Sequence, residues 1–131
     1  MLQRVVVTGL GVVSPNGVGI SDFEKAIKAG VSGIKFIPQL EAMNFSCCVG
    51  GVPPVTREMT LQYLTELQLK NFNSSGIIYG CMAGVDAWKD AGLDISEDAV
   101  DWDSGCVFGT GISGVEKMRE SAYLLDEGKV K

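Results

Sequence analysis

The run Cys106-Val107-Phe108-Gly109-Thr110-Gly111-Ile112-Ser113-Gly114 constrains this chain more than any other stretch. A short apolar segment breaks into near-alternate glycines and then into helical periodicity, the pattern of a buried strand, a tight turn and a helix start. Glycine tolerates positive φ and lets backbone come close, so the spacing predicts that something packs hard against this turn. It also matches G-x-G-x-x-G, which in dinucleotide sites seats a pyrophosphate on the helix N-terminus. Such a site needs an acidic residue about 20 positions further on, and there the chain has Gly128, Lys129, Val130 and Lys131. Close packing at a strand-to-helix turn is the favoured reading.

A second apolar run opens the chain. Residues 4–8 are Val-rich without alternation, as in a strand buried on both faces of a parallel sheet. Thr8-Gly9-Leu10-Gly11 then bends the chain, and Pro15-Asn16-Gly17 leads to a helix. Ser21 with Glu24 three residues later reads as a capping box, Phe23, Ala26 and Ile27 share a face, and Gly30 stops the helix. From 31 to 55 there is little periodicity, with Pro38, Pro53, Pro54 and the pair Cys47-Cys48. So long an irregular loop suggests a lid, an interaction segment or a mobile one. Good helix formers from 57 to 70 predict a short helix.

The strongest helix is expected from Ser74 or Ser75 to Ala91, with Ile77, Cys81, Val85 and Trp88 on one face and Gly92 as its stop. It carries Gly76, Gly80 and Gly84 four residues apart. Each costs roughly 1 kcal/mol against alanine inside a helix, so the stripe predicts a close neighbour and a central, buried helix. Glu97, Asp98, Asp101 and Asp103 read as a solvated connection rather than paired catalytic carboxylates, since no apolar pocket surrounds them. Val115, Met118, Ala122 and Leu125 repeat at helical spacing until Gly128 and are expected in the core.

Several functions are argued against by composition. A net charge of −5 over 131 residues gives no basic footprint for nucleic acid. Cysteines at 47, 48, 81 and 106 include no C-x-x-C pair and there is no histidine, so no metal site is expected. Adjacent Cys47 and Cys48 cannot easily bridge each other, while Cys81 and Cys106 read as small buried hydrophobes in a reducing compartment. The N-terminal run is β-branched and glycine-interrupted, unlike a signal peptide, and Asp86, Lys89 and Asp90 interrupt the longest apolar helix, so no membrane span is expected. An acidic, soluble, cytoplasmic protein is the expectation. One domain of strands separated by helices implies an α/β fold with right-handed crossovers in a mixed or parallel sheet. Two strands alone leave open edges, so the chain is expected to form a homo-oligomer, assemble with a complementary chain, or be a piece of a longer one.

The residues from Arg4 through Val5-Val6-Val7-Thr8-Gly9-Leu10-Gly11-Val12-Val13-Ser14-Pro15-Asn16 to Gly17 resemble the opening of the elongating β-ketoacyl-acyl carrier protein synthases, thiolase-fold condensing enzymes of fatty acid and polyketide synthesis. The resemblance continues through Ala29-Gly30-Val31-Ser32-Gly33-Ile34, through the glycine-striped helix ending Asp90-Ala91-Gly92-Leu93, and into Phe108-Gly109-Thr110-Gly111-Ile112-Ser113-Gly114. It is weak between residues 35 and 72, where Leu69-Lys70-Asn71-Phe72 replaces the family's Asp-Arg-Phe-like motif. Ser113 stands where a glycine is usual.

This resemblance implies that residues 1–131 are a single partial domain, the N-terminal third of a thiolase-like fold and incomplete relative to the family. It implies decarboxylative condensation of a malonyl unit with an acyl thioester, acyl carrier protein as partner, and no cofactor. The family's nucleophilic cysteine and its two catalytic histidines align beyond Lys131, so no catalytic residue is assigned and the chain alone is expected to be inactive. Gly111 and Ile112 align with positions lining the acyl pocket, Ile112 resembling a gate at a dimer interface. The alternative is a non-catalytic, synthase-like interaction subunit that docks on a complete synthase.

Overall fold

A computed structural model describes residues 4–72, 74–93, 101–111 and 114–129. The first ordered unit is a hairpin. Strand β1 (Val13–Ser14) pairs antiparallel with β2 (Gly17–Val18), Val13 opposite Val18, around a turn of Pro15 and Asn16. Ser14 Oγ accepts from the Asn16 amide at 3.2 Å, so the hydroxyl closes the turn locally. Asn16 Nδ2 donates to the Val31 carbonyl at 2.6 Å, pinning the hairpin to the chain that follows the next helix.

That helix, α1 (Ile20–Lys28), starts one residue before the expected cap. Gly19, at φ 83°, turns the chain, and its carbonyl takes the first helical bond from the Phe23 amide at 3.2 Å. Ser21 is therefore inside the first turn and caps nothing, and Glu24 pairs with Lys28 at 2.6 Å instead. The expected stop at Gly30 is correct: at φ 65° it lets the Val31 amide reach the Ala26 carbonyl at 2.9 Å while its own amide reaches Ile27 at 3.0 Å.

The segment 31–55, expected as an irregular loop, holds three ordered elements. Strand β3 (Ile34–Phe36) pairs antiparallel with β4 (Val49–Gly51), and α2 (Pro38–Ala42) bridges them with its proline in the first turn. Three-residue strands are too short to show alternation in a sequence, which is why the segment looked structureless. The helix expected over 57–70 is split into α3 (Arg57–Thr60) and α4 (Glu66–Asn71). Thr65 starts the second with a capping box, its hydroxyl accepting from the Gln68 amide while Gln68 Oε1 accepts from the Thr65 amide at 2.8 Å.

Helix α5 (Ser75–Asp90) matches the expected span and ends at Gly92, φ 72°. Its burial is less than expected. Met82 alone in it is fully buried, and together with Leu64, Thr60 and Ser74 it marks the small core among the described residues. Helix α6 (Val115–Asp126) begins after Gly114 in the left-handed region and ends at Gly128 as expected, but Met118 and Leu125 are exposed and are not core.

The mixed or parallel sheet is not what the described residues form, since both sheets are two-stranded and antiparallel. Neither 4–8 nor 105–109, the two runs read as buried strands, joins a ladder, and both are exposed almost throughout. A parallel strand needs flanking strands and a cover on each face, and the described residues supply neither. The chain is nonetheless α/β in content. No helix among the described residues is long and apolar enough to cross a membrane.

Candidate functional site

Two rows of small residues run along α5. Gly76, Gly80 and Gly84 form one, and Ala83 and Ala87, continued by Ala91, form another about 60° around the helix. The N-terminal segment lies across the alanine row. A Cβ on Gly11 would stand 1.9 Å from the Ala83 carbonyl oxygen, and one on Gly9 would stand 2.2 Å from that of Ala87. Only glycine admits such approach. The Leu10 amide between them donates to Asp90 Oδ2 at 2.9 Å.

Phe108 lies across the glycine row, its ring 3.5 Å from where a Gly80 Cβ would be and 3.2 Å from that of Gly84. The stripe thus faces one aromatic side chain rather than the helix or sheet expected. A cavity of about 290 Å³ lies between α5 and the segment 108–110, walled by Gly76, Ile77, Gly80 and Cys81 on one side and Phe108, Gly109 and Thr110 on the other. It is apolar and just below the size range of small-molecule pockets. Cys81 supplies a thiol to its wall, but none of the lining residues is a base that could take the thiol proton.

Gly111, expected to line an acyl pocket, is exposed one residue beyond the Thr110 wall, and Ile112 lies outside the described residues. The crowding expected at the glycine turn is absent: a Cβ on Gly109 or Gly111 would meet nothing within 4 Å. The crowded glycines are instead those near the N-terminus, where the chain crosses a helix backbone. Cys106, expected buried in a strand, is exposed, as is Cys47, and all four cysteines are free thiols.

The acidic connection behaves as a self-capped turn. Asp101 accepts from Ser104 Oγ at 2.5 Å and from the Asp103 amide at 2.9 Å, and these bonds, the first above all, hold its carboxyl below the usual carboxylate range. Glu97 and Asp98 lie outside the described residues. Elsewhere, burial first and then a hydrogen bond to Asp86 push the Tyr63 phenol upward, and Lys89 sits 5.6 Å from the Tyr63 ring. These contacts clamp the α3–α4 corner to α5. Among the described residues no three His, Cys, Asp or Glu side chains converge as metal ligands.

Sequence reasoning missed the alanine row and its glycine partners. The signal was present, because Ala83, Ala87 and Ala91 repeat at the same four-residue interval as the glycines.

Comparison with known proteins bears on all of this. The family described as Beta-ketoacyl synthase, N-terminal domain matches residues 2–130. The 3-oxoacyl-[acyl-carrier-protein] synthase 2 of Vibrio cholerae serotype O1 is 36% identical over 125 residues, covering 95% of this chain and 29% of that protein. The corresponding synthase of Vibrio harveyi is 35% identical over 130 residues, covering 98% and 30%, and that of Coxiella burnetii 33% over 123 residues, covering 94% and 29%. The chain spans about 30% of the length of these relatives. With the match running over all but its first and last residues, the chain belongs to the β-ketoacyl synthase family and corresponds to that family's N-terminal domain.

Proposed function

We propose that this chain is the N-terminal part of a cytoplasmic, elongating 3-oxoacyl-acyl carrier protein synthase with a thiolase-like fold, built around a mixed or parallel sheet, and that it forms one partial domain over residues 1–131. The whole enzyme condenses malonyl-acyl carrier protein with an acyl thioester by decarboxylation, in fatty acid or polyketide synthesis. The observation that carries this reading is the family match over residues 2–130, with relatives named 3-oxoacyl-[acyl-carrier-protein] synthase 2 at 33 to 36% identity.

The chain's own chemistry limits its share. Condensation needs an activated thiol, and activation takes an adjacent base or a depressed pKa. The sequence has no histidine, and Cys81 faces an apolar wall. The chain therefore contributes pocket wall rather than nucleophile, and Gly111 and Ile112 are the positions assigned to the acyl chain. The cavity under Phe108 supports this, because an apolar space at the end of the segment leading to Gly111 suits an aliphatic tail.

The test is malonyl decarboxylation and acyl transfer, measured with the chain alone and with the chain fused to the rest of the Vibrio cholerae synthase. Activity in the fusion and none in the chain alone is expected. An inactive fusion that binds a complete synthase would instead favour the non-catalytic interaction subunit.

A further inference from the structure

Two nucleophilic side chains stand next to each other at Cys47 and Cys48, and neither lines the cavity under Phe108. The loop that carries them is held at both ends. On one side Asn44, at φ 56°, stops α2 in the left-handed region, and the Phe45 amide returns to the Leu40 carbonyl at 3.0 Å. On the other the Ile37 amide donates to the Cys48 carbonyl at 2.8 Å, one step before the β3–β4 ladder begins at Phe36 and Val49. Both thiols fold back on this short turn: Cys48 Sγ donates to the Phe45 carbonyl at 3.3 Å, and Cys47 Sγ lies 4.0 Å from the Val49 carbonyl oxygen. Cys47 is exposed, Cys48 is half-buried, and both are free. A direct bond between them is disfavoured, because a disulfide holds its sulfurs about 2.05 Å apart and adjacent residues reach that only with strain. An atom placed between the two sulfurs relaxes that demand.

Ligand count decides which atom. Among the described residues no third His, Cys, Asp or Glu converges on the pair, so the four-ligand shell of a structural zinc site is not available. A soft, thiophilic centre that takes only two sulfurs from the protein remains. We infer that Cys47 and Cys48 form a dithiol site for a monosubstituted trivalent arsenical, R–As=O, whose organic substituent fills the third valence of arsenic. The step balances without a redox partner: two S–H bonds break, two As–S bonds form, and both protons leave with the oxo oxygen as one water, arsenic staying trivalent. Phe45 and Val49 flank the pair in sequence and are 56% and 53% exposed, so the loop presents apolar surface to an aryl substituent. The inference does not depend on the proposed function.

The experiment titrates the reduced chain with phenylarsine oxide and follows intact mass and free thiols. One phenylarsenic group per chain is expected, with the free thiols falling from four to two. Maleimide labelling and peptide mapping of the treated chain should find Cys81 and Cys106 modified and Cys47 and Cys48 protected, a readout that needs no variant. Cys47→Ser and Cys48→Ser should each weaken binding at least about a hundredfold, because the second As–S bond forms within the chain at high effective concentration. Cys81→Ser and Cys106→Ser should leave binding unchanged. Since the loop is held at both ends, the folded chain should bind at least about fivefold more tightly than the chain in concentrated urea. Protection of Cys81 or Cys106 in place of the pair, either single serine variant at position 47 or 48 binding like the parent, or equal affinity in urea would each overturn the proposal.

Discussion

The Leu10 amide donates to Asp90 Oδ2 at 2.9 Å, joining positions 80 apart in the chain and fastening the N-terminal segment to the last turn of α5. A carboxylate at a helix C-terminus opposes the helix dipole, so Asp90 is poorly placed for its own helix and well placed for Leu10. The bond and the two close glycine contacts hold the same crossing.

Asp90→Ala separates these effects. A hydrogen bond to a charged acceptor contributes about 1.5–3 kcal/mol, reduced here toward ~1 by exposure. Alanine returns about 0.5 kcal/mol in helix propensity and a few tenths from the dipole. The expected outcome is a nearly unchanged unfolding midpoint with faster exchange of the Leu10 amide, and Asp90→Asn should restore most of the protection. A large loss of global stability would contradict this balance.

Glycine-to-alanine substitutions should differ in sign between Gly11, which crosses α5, and Gly84, which lies within it. Gly11→Ala places a Cβ 1.9 Å from a helix carbonyl that cannot rotate away, so the crossing must shift. The cost is expected at or above the upper end of the roughly 1–3 kcal/mol seen for overpacking. Gly84→Ala meets only Phe108 Cζ at 3.2 Å, the end of an exposed ring, and gains about 1 kcal/mol of helix propensity. It should stabilise. Gly111→Ala meets nothing and should stay within about 0.5 kcal/mol. Chemical denaturation of the three variants checks the order.

That contrast also explains what the sequence could and could not convey. Helix ends were legible because Gly30, Gly92 and Gly128 act locally, on carbonyls a few residues away. The strand readings at 4–8 and 105–109 followed composition correctly, but a strand exists only through its partners, and the described residues hold none. Glycine spacing alone could not say which glycines are crowded: Gly9 and Gly11 cross a helix, while Gly109 and Gly111 stand clear. Of the two positions that the family resemblance assigns to an acyl chain, Gly111 is exposed and does not line the cavity, and Ile112 lies outside the described residues.

Stability should fall in alkali through Tyr63. Its folded pKa is raised above the ordinary 10.0, first by burial and then by Asp86. A raised folded pKa means the native state holds the proton more tightly. This contribution is fully present below pH 10 and is lost as pH rises through the folded value. Tyr63→Phe should flatten the alkaline limb of a stability-versus-pH curve, and the difference in phenolate absorbance between the two proteins should titrate later than free tyrosine. An alkaline limb identical in both would reject the assignment.

Thiol labelling tests the cavity under Phe108. Cys47 and Cys106 are exposed and should react first with a maleimide, whereas Cys81 is half-buried on the cavity wall. Thiol reactivity follows access as well as thiolate fraction, and no neighbouring base distinguishes Cys81 among the lining residues. Access should therefore dominate. Phe108→Ala removes the ring that lies over Gly80 and Gly84 and shares the cavity wall with Cys81. Its ring is already mostly exposed, so the substitution should cost well under the ~3–5 kcal/mol of a buried phenylalanine. Labelling at Cys81 should accelerate with an apolar maleimide more than with a charged one, because the remaining wall of Gly76, Ile77, Gly80, Gly109 and Thr110 carries no charge, while Cys47 keeps its rate as the internal reference. Equal acceleration by both reagents would mean that the chain opens locally rather than that an apolar cavity has been uncovered, and no acceleration would mean that Phe108 does not control access to it.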